Sequence, residues 1–334
     1  MSCFELKKRD LDKLIQLISR KTDVYAPVKK NGVTKFEKVS GSREVVLQEH
    51  SYLPLKRLFF KPLEILFDFH GSRMSVPKSK PRRKIILGAK RCDLNSILRQ
   101  DMMFMNENSD VYYTRERENT LLIGYQCKSA FDKYCFCESM DLEECQDLML
   151  FDHGPVFLVE VTSEKGRELI EEYKKFFTKT DKIPLTEEKV VKNANRLKNK
   201  NISQLYDNPV WKKGVELCIS CGACNLLCPS CYCFSIEDKN DMNLKSGTRI
   251  RFHASCQLKS FTKVAGNHVF RESRDGRFKH RIYHQLQWFR DRHGLNLCTG
   301  CGRCIRFCPT RIDFVELISQ MSKKEPGSFE GINI

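Results

Sequence analysis

The chain has 334 residues, 41% of them hydrophobic and 30% charged, with 17 cysteines and a formal net charge of +16. That length supports about two domains with a sizeable core, and the even spread of charge argues against disorder from end to end. No run of roughly 18 apolar residues is present, and the start Met-Ser-Cys-Phe-Glu-Leu-Lys-Lys has no apolar stretch behind a basic segment, so neither a spanning helix nor a secretory signal is expected.

In chain order, residues 2–21 are expected to be helical, because Leu6, Leu11, Leu14, Ile15, Leu17 and Ile18 fall mostly on one face. Residues 22–80 are mixed, with prolines at 27, 54, 62 and 77 and a strand-like Val45-Val46-Leu47. Phe59, Phe60, Phe67 and Phe69 suit a core. Three short apolar runs at 84–89, 121–125 and 156–161 have the length of buried strands, with helices expected over 94–105 and 166–177. This alternation predicts an α/β-type domain over residues 1–177. Residues 178–203 are rich in Lys, Asn, Thr and Glu, which predicts a linker. From there to residue 334, the spacing of Cys and Pro dominates.

The strongest signal is an internal repeat. Cys218-Ile-Ser-Cys221-Gly-Ala-Cys224-Asn-Leu-Leu-Cys228-Pro229 is C-x2-C-x2-C-x3-C-P, and Cys298-Thr-Gly-Cys301-Gly-Arg-Cys304-Ile-Arg-Phe-Cys308-Pro309 repeats it. Three cysteines at intervals of three wrap a loop around one cubane, and the fourth points toward the other cluster. Gly222 and Gly302 let the backbone approach the inorganic sulfides. The ligands are therefore expected crosswise. One [4Fe–4S] cluster takes Cys218, Cys221, Cys224 and Cys308; the second takes Cys298, Cys301, Cys304 and Cys228. Zinc would need two pairs, whereas this pattern supplies four ligands in a row, twice. No C-x-x-C is followed by His, so c-type haem is not expected. The fold class expected for the whole is α+β: an N-terminal α/β-type domain, then a bacterial-ferredoxin-like domain over 204–334 with a basic insertion.

Other cysteines carry weaker readings. Cys231, Cys233 and Cys256 are taken as small buried hydrophobes, since both quartets are already complete. In the N-terminal domain, Cys92 follows the first apolar run, Cys127 the second, and Cys135-Phe-Cys137 lies just beyond. Strand ends bring distant residues together, so Cys92, Cys127, Cys135 and Cys137 form a candidate third quartet. A third [4Fe–4S] cluster, bound zinc and scattered core cysteine all remain open there. Asp93 is a candidate to replace one thiolate, and Cys145 is a further candidate.

The net charge has no matching nucleic-acid motif, and a basic surface equally suits an acidic protein partner. Between Phe252 and His293 lie Lys259, Lys263, Arg271, Arg274, Arg277, Lys279, Arg281, Arg290 and Arg292. They form either a solvated face or a cationic field that favours reduced clusters. There is no G-x-G-x-x-G, G-x4-G-K-[ST] or H-E-x-x-H, and no side chain is assigned a catalytic role.

With these residues in hand, the chain resembles the iron–sulfur subunits of anaerobic multisubunit oxidoreductases: sulfhydrogenase β subunits and the corresponding iron–sulfur subunits of anaerobic sulfite reductases. The resemblance rests on Gly88-Ala-Lys-Arg-Cys-Asp-Leu94, Asp110-Val-Tyr-Tyr113, Cys135-Phe-Cys137-Glu-Ser-Met140, Cys228-Pro-Ser-Cys-Tyr-Cys-Phe234 and both cysteine runs. It departs at Asp141, where glycine is expected after Ser139-Met140. The resemblance implies a non-catalytic electron-transfer subunit in an oxygen-free cytoplasm. Its partners would be a flavin/NAD(P)H- or ferredoxin-linked subunit and a catalytic subunit of hydrogenase or sulfite reductase type. Two other classes remain compatible: a reductase with substrate chemistry at an N-terminal cysteine-ligated cluster, and a cluster-containing binding or sensor protein.

Overall fold

Strands that are apolar on both faces need cover on both sides. The computed structural model describes residues 2–77, 82–198, 201–242 and 244–322. Its strands are β1 (Ser2–Lys7), β2 (Asp23–Lys30), β3 (Val33–Val39), β4 (Leu63–His70), β5 (Arg73–Ser75), β6 (Lys84–Ala89), β7 (Thr120–Tyr125), β8 (Leu148–His153), β9 (Val156–Val161), β10 (Phe177–Thr180), β11 (Phe234–Asn240) and β12 (Ser246–His253). The helices are α1 (Leu11–Ser19), α2 (Arg91–Phe104), α3 (Val111–Glu118), α4 (Glu164–Glu172), α5 (Trp211–Leu217), α6 (Ala223–Leu226), α7 (Arg274–Tyr283), α8 (Phe289–His293), α9 (Arg303–Arg306) and α10 (Phe314–Ser322).

Eight strands form one sheet in the order β10-β1-β9-β8-β7-β6-β2-β3. Its centre is parallel, from β2 through β6 and β7 to β8, and its flanks are antiparallel. Alternate residues of one strand point to opposite faces. Ile85, Leu121 and Val159 meet Leu14, Ile15 and Leu169 from α1 and α4. Ile86, Leu122 and Leu158 meet Leu94, Ile97 and Tyr113 from α2 and α3.

The expected opening helix splits in two. Residues 2–7 pair antiparallel with β9 and β10, with Cys3 on one face of the sheet and Leu6 on the other, and the α-helix begins only at Leu11, after a 3-10 turn over Lys8–Asp10. Sheet pairing overrides the helical spacing there. Of the expected strand Val45-Val46-Leu47, a single bridge from Val45 to Val28 forms. Helix α3 was not expected; Asp110 caps it by accepting hydrogen bonds from the Tyr112 and Tyr113 amides. The segment 178–203 does not hang free. Its start lies in β10, and Val191, Ala194, Leu197 and Ile202 are buried, a sparse set that average composition conceals.

A second sheet, β11-β12-β4-β5, joins distant parts of the chain. β4 and β5 come from the first third, whereas β11 and β12 come from between the two cysteine runs. The insertion is thus bonded edge to edge to the N-terminal domain. Buried Arg251 reinforces that join, with Glu64 at 2.6 Å and Asp110 on its other side. Behind the cysteine runs, Trp211, Phe278, Ile282, Ile305, Val315 and Ile318 pack α5, α7, α9 and α10 together. Among the described residues, no helix is long and apolar enough to cross a membrane.

Candidate metal centres

The two cysteine runs fold into the same loop. Gly222 and Gly302 stand at φ of 79° and 73°, a left-handed conformation that glycine adopts without strain, and each opens one turn of helix. The backbone hydrogen bonds then repeat: Asn225 to Gly222 and Ile305 to Gly302, Leu226 to Gly222 and Arg306 to Gly302, Cys228 to Asn225 and Cys308 to Ile305. Spacing in sequence has become an internal structural repeat.

Cys218, Cys221, Cys224 and Cys308 line one apolar cavity, with Phe278, Ile282, Ile312 and Phe314 as its walls. Cys304, assigned in sequence to the other set, also reaches that cavity. Cys221 is exposed, and burial pushes the Cys224 thiol up to about 12. In the second group, Cys298, Cys301 and Cys304 all lie within electrostatic reach of Cys228. Cys228, Cys298 and Cys301 are buried, and burial pushes Cys298 up to about 12. The Gly300 amide donates to the Cys298 sulfur at 3.4 Å. A π-helical turn over His284–Trp288 frees the Gln285 carbonyl to accept from the Cys298 amide at 3.0 Å. Buried thiols this reluctant to ionise become ligands when a metal displaces the proton.

Arg281 sits between the two groups. It is buried, donates to the Cys224 carbonyl at 3.2 Å, and forms no ion pair with a carboxylate among the described residues. Burial disfavours its charge, but the sulfurs of Cys231, Cys228, Cys224 and Cys304 more than offset that and hold it strongly protonated. The basic insertion is therefore only partly a solvated face: Arg277, Lys279 and Arg281 are turned inward.

The structure also gathers the N-terminal cysteines. Cys92 opens α2, Cys127 follows β7, and Cys135 and Cys137 come from the loop beyond; Cys92 and Cys137 pack in one buried cluster that Cys127 borders. Cys135 and Cys127 are electrostatic neighbours of Cys137. Burial pushes Cys92, Cys127 and Cys137 up. Two adjacent parallel strands end on the same edge of the sheet, which is why residues so far apart in sequence meet. Cys301 belongs to the same buried cluster. The second loop presses directly on this quartet: a Cβ at Gly300 would lie 2.6 Å from the Cys137 backbone, and one at Gly302 2.7 Å from the Tyr134 carbonyl. Asp93 is engaged elsewhere, in a fully buried pair with Arg303 at 2.9 Å. Cys145 lies apart, beside Arg99 and Arg117. Asp141, where glycine was expected, adopts φ of 47°, the left-handed region that glycine favours and Asp tolerates.

Three residues had no signal in the sequence. His50 Nε2 lies 3.4 Å from Cys92 Sγ, and His50, Cys92 and Asp93 place their ligand atoms within 4.8 Å of one another. Asn225 and Gln285 both donate side-chain hydrogen bonds to cysteine sulfurs.

Residues 217–312 match the family model of the 4Fe-4S dicluster domain. Over 312 residues the chain is 31% identical to the sulfhydrogenase 2 subunit beta of Pyrococcus furiosus, a match spanning 89% of this chain and 92% of that protein. Over 176 residues it is 25% identical to the F420-dependent formate dehydrogenase subunit beta of Methanocaldococcus jannaschii, spanning 50% of this chain and 38% of that protein.

Proposed function

The chain belongs to the family of iron–sulfur electron-transfer subunits that includes the sulfhydrogenase β subunits, and from that premise we propose that it relays electrons through three [4Fe–4S] clusters between two partner subunits. Cys218, Cys221, Cys224 and Cys308 hold the outer cluster. Cys298, Cys301, Cys304 and Cys228 hold the middle one. Cys92, Cys127, Cys135 and Cys137 hold the inner one. The observation that carries this reading is the repeated loop, one copy ending at solvent and the other pressed against the N-terminal quartet.

The protein's own part is positional and electrostatic. The clusters supply the redox chemistry, one electron at a time. The two loops fix the sulfurs, the apolar walls keep water away, and Arg281 lies where negative charge grows on reduction, which favours the reduced form. Around exposed Cys221, the exposed side chains of Leu217, Ile219, Leu226 and Leu258 form an apolar rim. That rim is where a redox partner docks, and the surrounding Lys and Arg favour an acidic one.

The partners proposed are a flavin/NAD(P)H- or ferredoxin-linked subunit and a catalytic subunit of hydrogenase type, in the cytoplasm. Anaerobic purification of the native complex on a tagged copy of this chain tests them. Recovery of both subunits, with hydrogen turnover that needs the complex, is expected. Recovery of a sirohaem subunit, or substrate turnover by this chain alone with a dye donor, would replace this reading.

A further inference from the structure

Charged side chains surround the N-terminal quartet, and their balance is uneven. Asp93 faces Arg303 at 2.9 Å, Asp132 is paired with Arg306, and Glu138 lies 3.8 Å from Arg91. Each of these carboxylates thus has its own guanidinium. Lys90, 3% exposed, stands outside the pairing. It donates to the Leu47 carbonyl and lies 4.2 Å from the centroid of the Tyr125 ring; among the described residues it forms no ion pair with a carboxylate. The anion-capable groups that face it are Cys127, Cys92 and Asp93, and Asp93 is already taken. A buried ammonium without a counter-charge is strongly disfavoured. Neutral thiols at Cys92 and Cys127 would leave it in that state, whereas a thiolate-ligated cluster would not.

A second observation comes from another part of the chain. His50 is buried, its Nε2 lies 3.4 Å from Cys92 Sγ, and its Nδ1 has no hydrogen-bond partner among the described residues. Burial and the facing cations Arg303, Arg306 and Lys90 hold the ring neutral, so it carries one N–H. A metal-bound Cys92 is a thiolate with no proton to give. The imidazole proton then belongs on Nε2, directed at the sulfur.

We propose that Lys90, as buried counter-charge, and His50, as donor to the Cys92 sulfur, raise the potential of the inner cluster so that it accepts the electron from the middle one. Burial alone works the other way, because a dry site disfavours the extra negative charge of the reduced cluster. A fixed ammonium and an N–H aimed at a ligand sulfur both offset that cost. Lys90 thus does inside the N-terminal domain what Arg281 does between the other two sets. In the step itself the middle cluster gives up one electron and the inner cluster gains it; no bond to either residue forms or breaks. Both are positioning residues, acting on the electron through the cluster.

This inference rests on the proposed inner cluster. The test is an EPR-monitored redox titration, with iron and sulfide per chain, of the full-length protein purified without oxygen. The centre missing from Cys135→Ser identifies the inner cluster. Lys90→Met is expected to keep about twelve irons and to lower that one potential by ~60 mV, a tenfold change for one electron. Lys90→Arg, which keeps the charge, is expected to keep the potential. His50→Phe, which keeps the ring but removes the N–H, is expected to lower it about threefold, or ~30 mV; it also serves should Lys90→Met fail to fold. Twelve irons with that potential unmoved in both Lys90→Met and His50→Phe would overturn this inference alone, as would an equal drop in Lys90→Arg. About eight irons in the wild type, with no third centre, would overturn the three-cluster reading as well.

Discussion

The two cysteine loops share one backbone and live in opposite surroundings. In the first, Cys221 is exposed, Ser220 takes the positive φ, and Ala223 opens the helix. In the second, Cys301 is buried, Gly300 takes the positive φ, and Arg303 opens the helix with its guanidinium locked onto Asp93 and Ser51. The cysteines fix what each loop binds; the residues between them fix where it sits. Serine is tolerated at position 220 of the exposed loop, whereas any side chain at position 300 meets the Phe136–Cys137 backbone. One loop therefore stands at solvent and the other faces inward, the arrangement the proposed relay requires.

If that contrast is right, substitutions at matching positions have unequal effects. The largest is at the inner end: Cys135→Ser should remove about four irons per chain by elemental analysis, with the ferredoxin-type EPR signal retained. Next comes Arg303→Ala, which leaves Asp93 buried without its partner and should cost about 3–5 kcal/mol in anaerobic denaturant titration. Its counterpart Ala223 has no such pair to lose. Gly300→Ala drives a methyl group into the Cys137 backbone and should cost about 1–3 kcal/mol by the same titration. Arg281→Gln should lower the potentials of both ferredoxin-type clusters by ~60 mV, a tenfold change for one electron, read by EPR-monitored redox titration. Smallest is Ser220→Gly, which relieves a positive φ and should shift stability by less than about 1 kcal/mol. Equal effects at 220 and 300 would dissolve the distinction between outer and inner loops.

Much of this was legible in the sequence, and for physical reasons. The ferredoxin-type runs carry their geometry in their spacing, because ligand loops are local. The N-terminal quartet was approachable because Cys92 and Cys127 follow successive apolar runs, and adjacent parallel strands end on one edge. Asp141 illustrates a residue type that departs from the expected glycine, yet adopts the backbone the loop needs. The illegible parts are those set by tertiary packing. His50 and Asn225 come from a loop and a one-turn helix with no periodicity to single them out. Gln285 depends on a π-helical turn that spacing does not announce.

The most direct measurement is iron and acid-labile sulfide per chain after oxygen-free purification, with EPR of the dithionite-reduced protein. The relay predicts about four irons for each of the outer, middle and inner cysteine sets, and a signal broadened by coupling between neighbouring reduced clusters. Zinc in place of iron, or only about eight irons per chain, would contradict it.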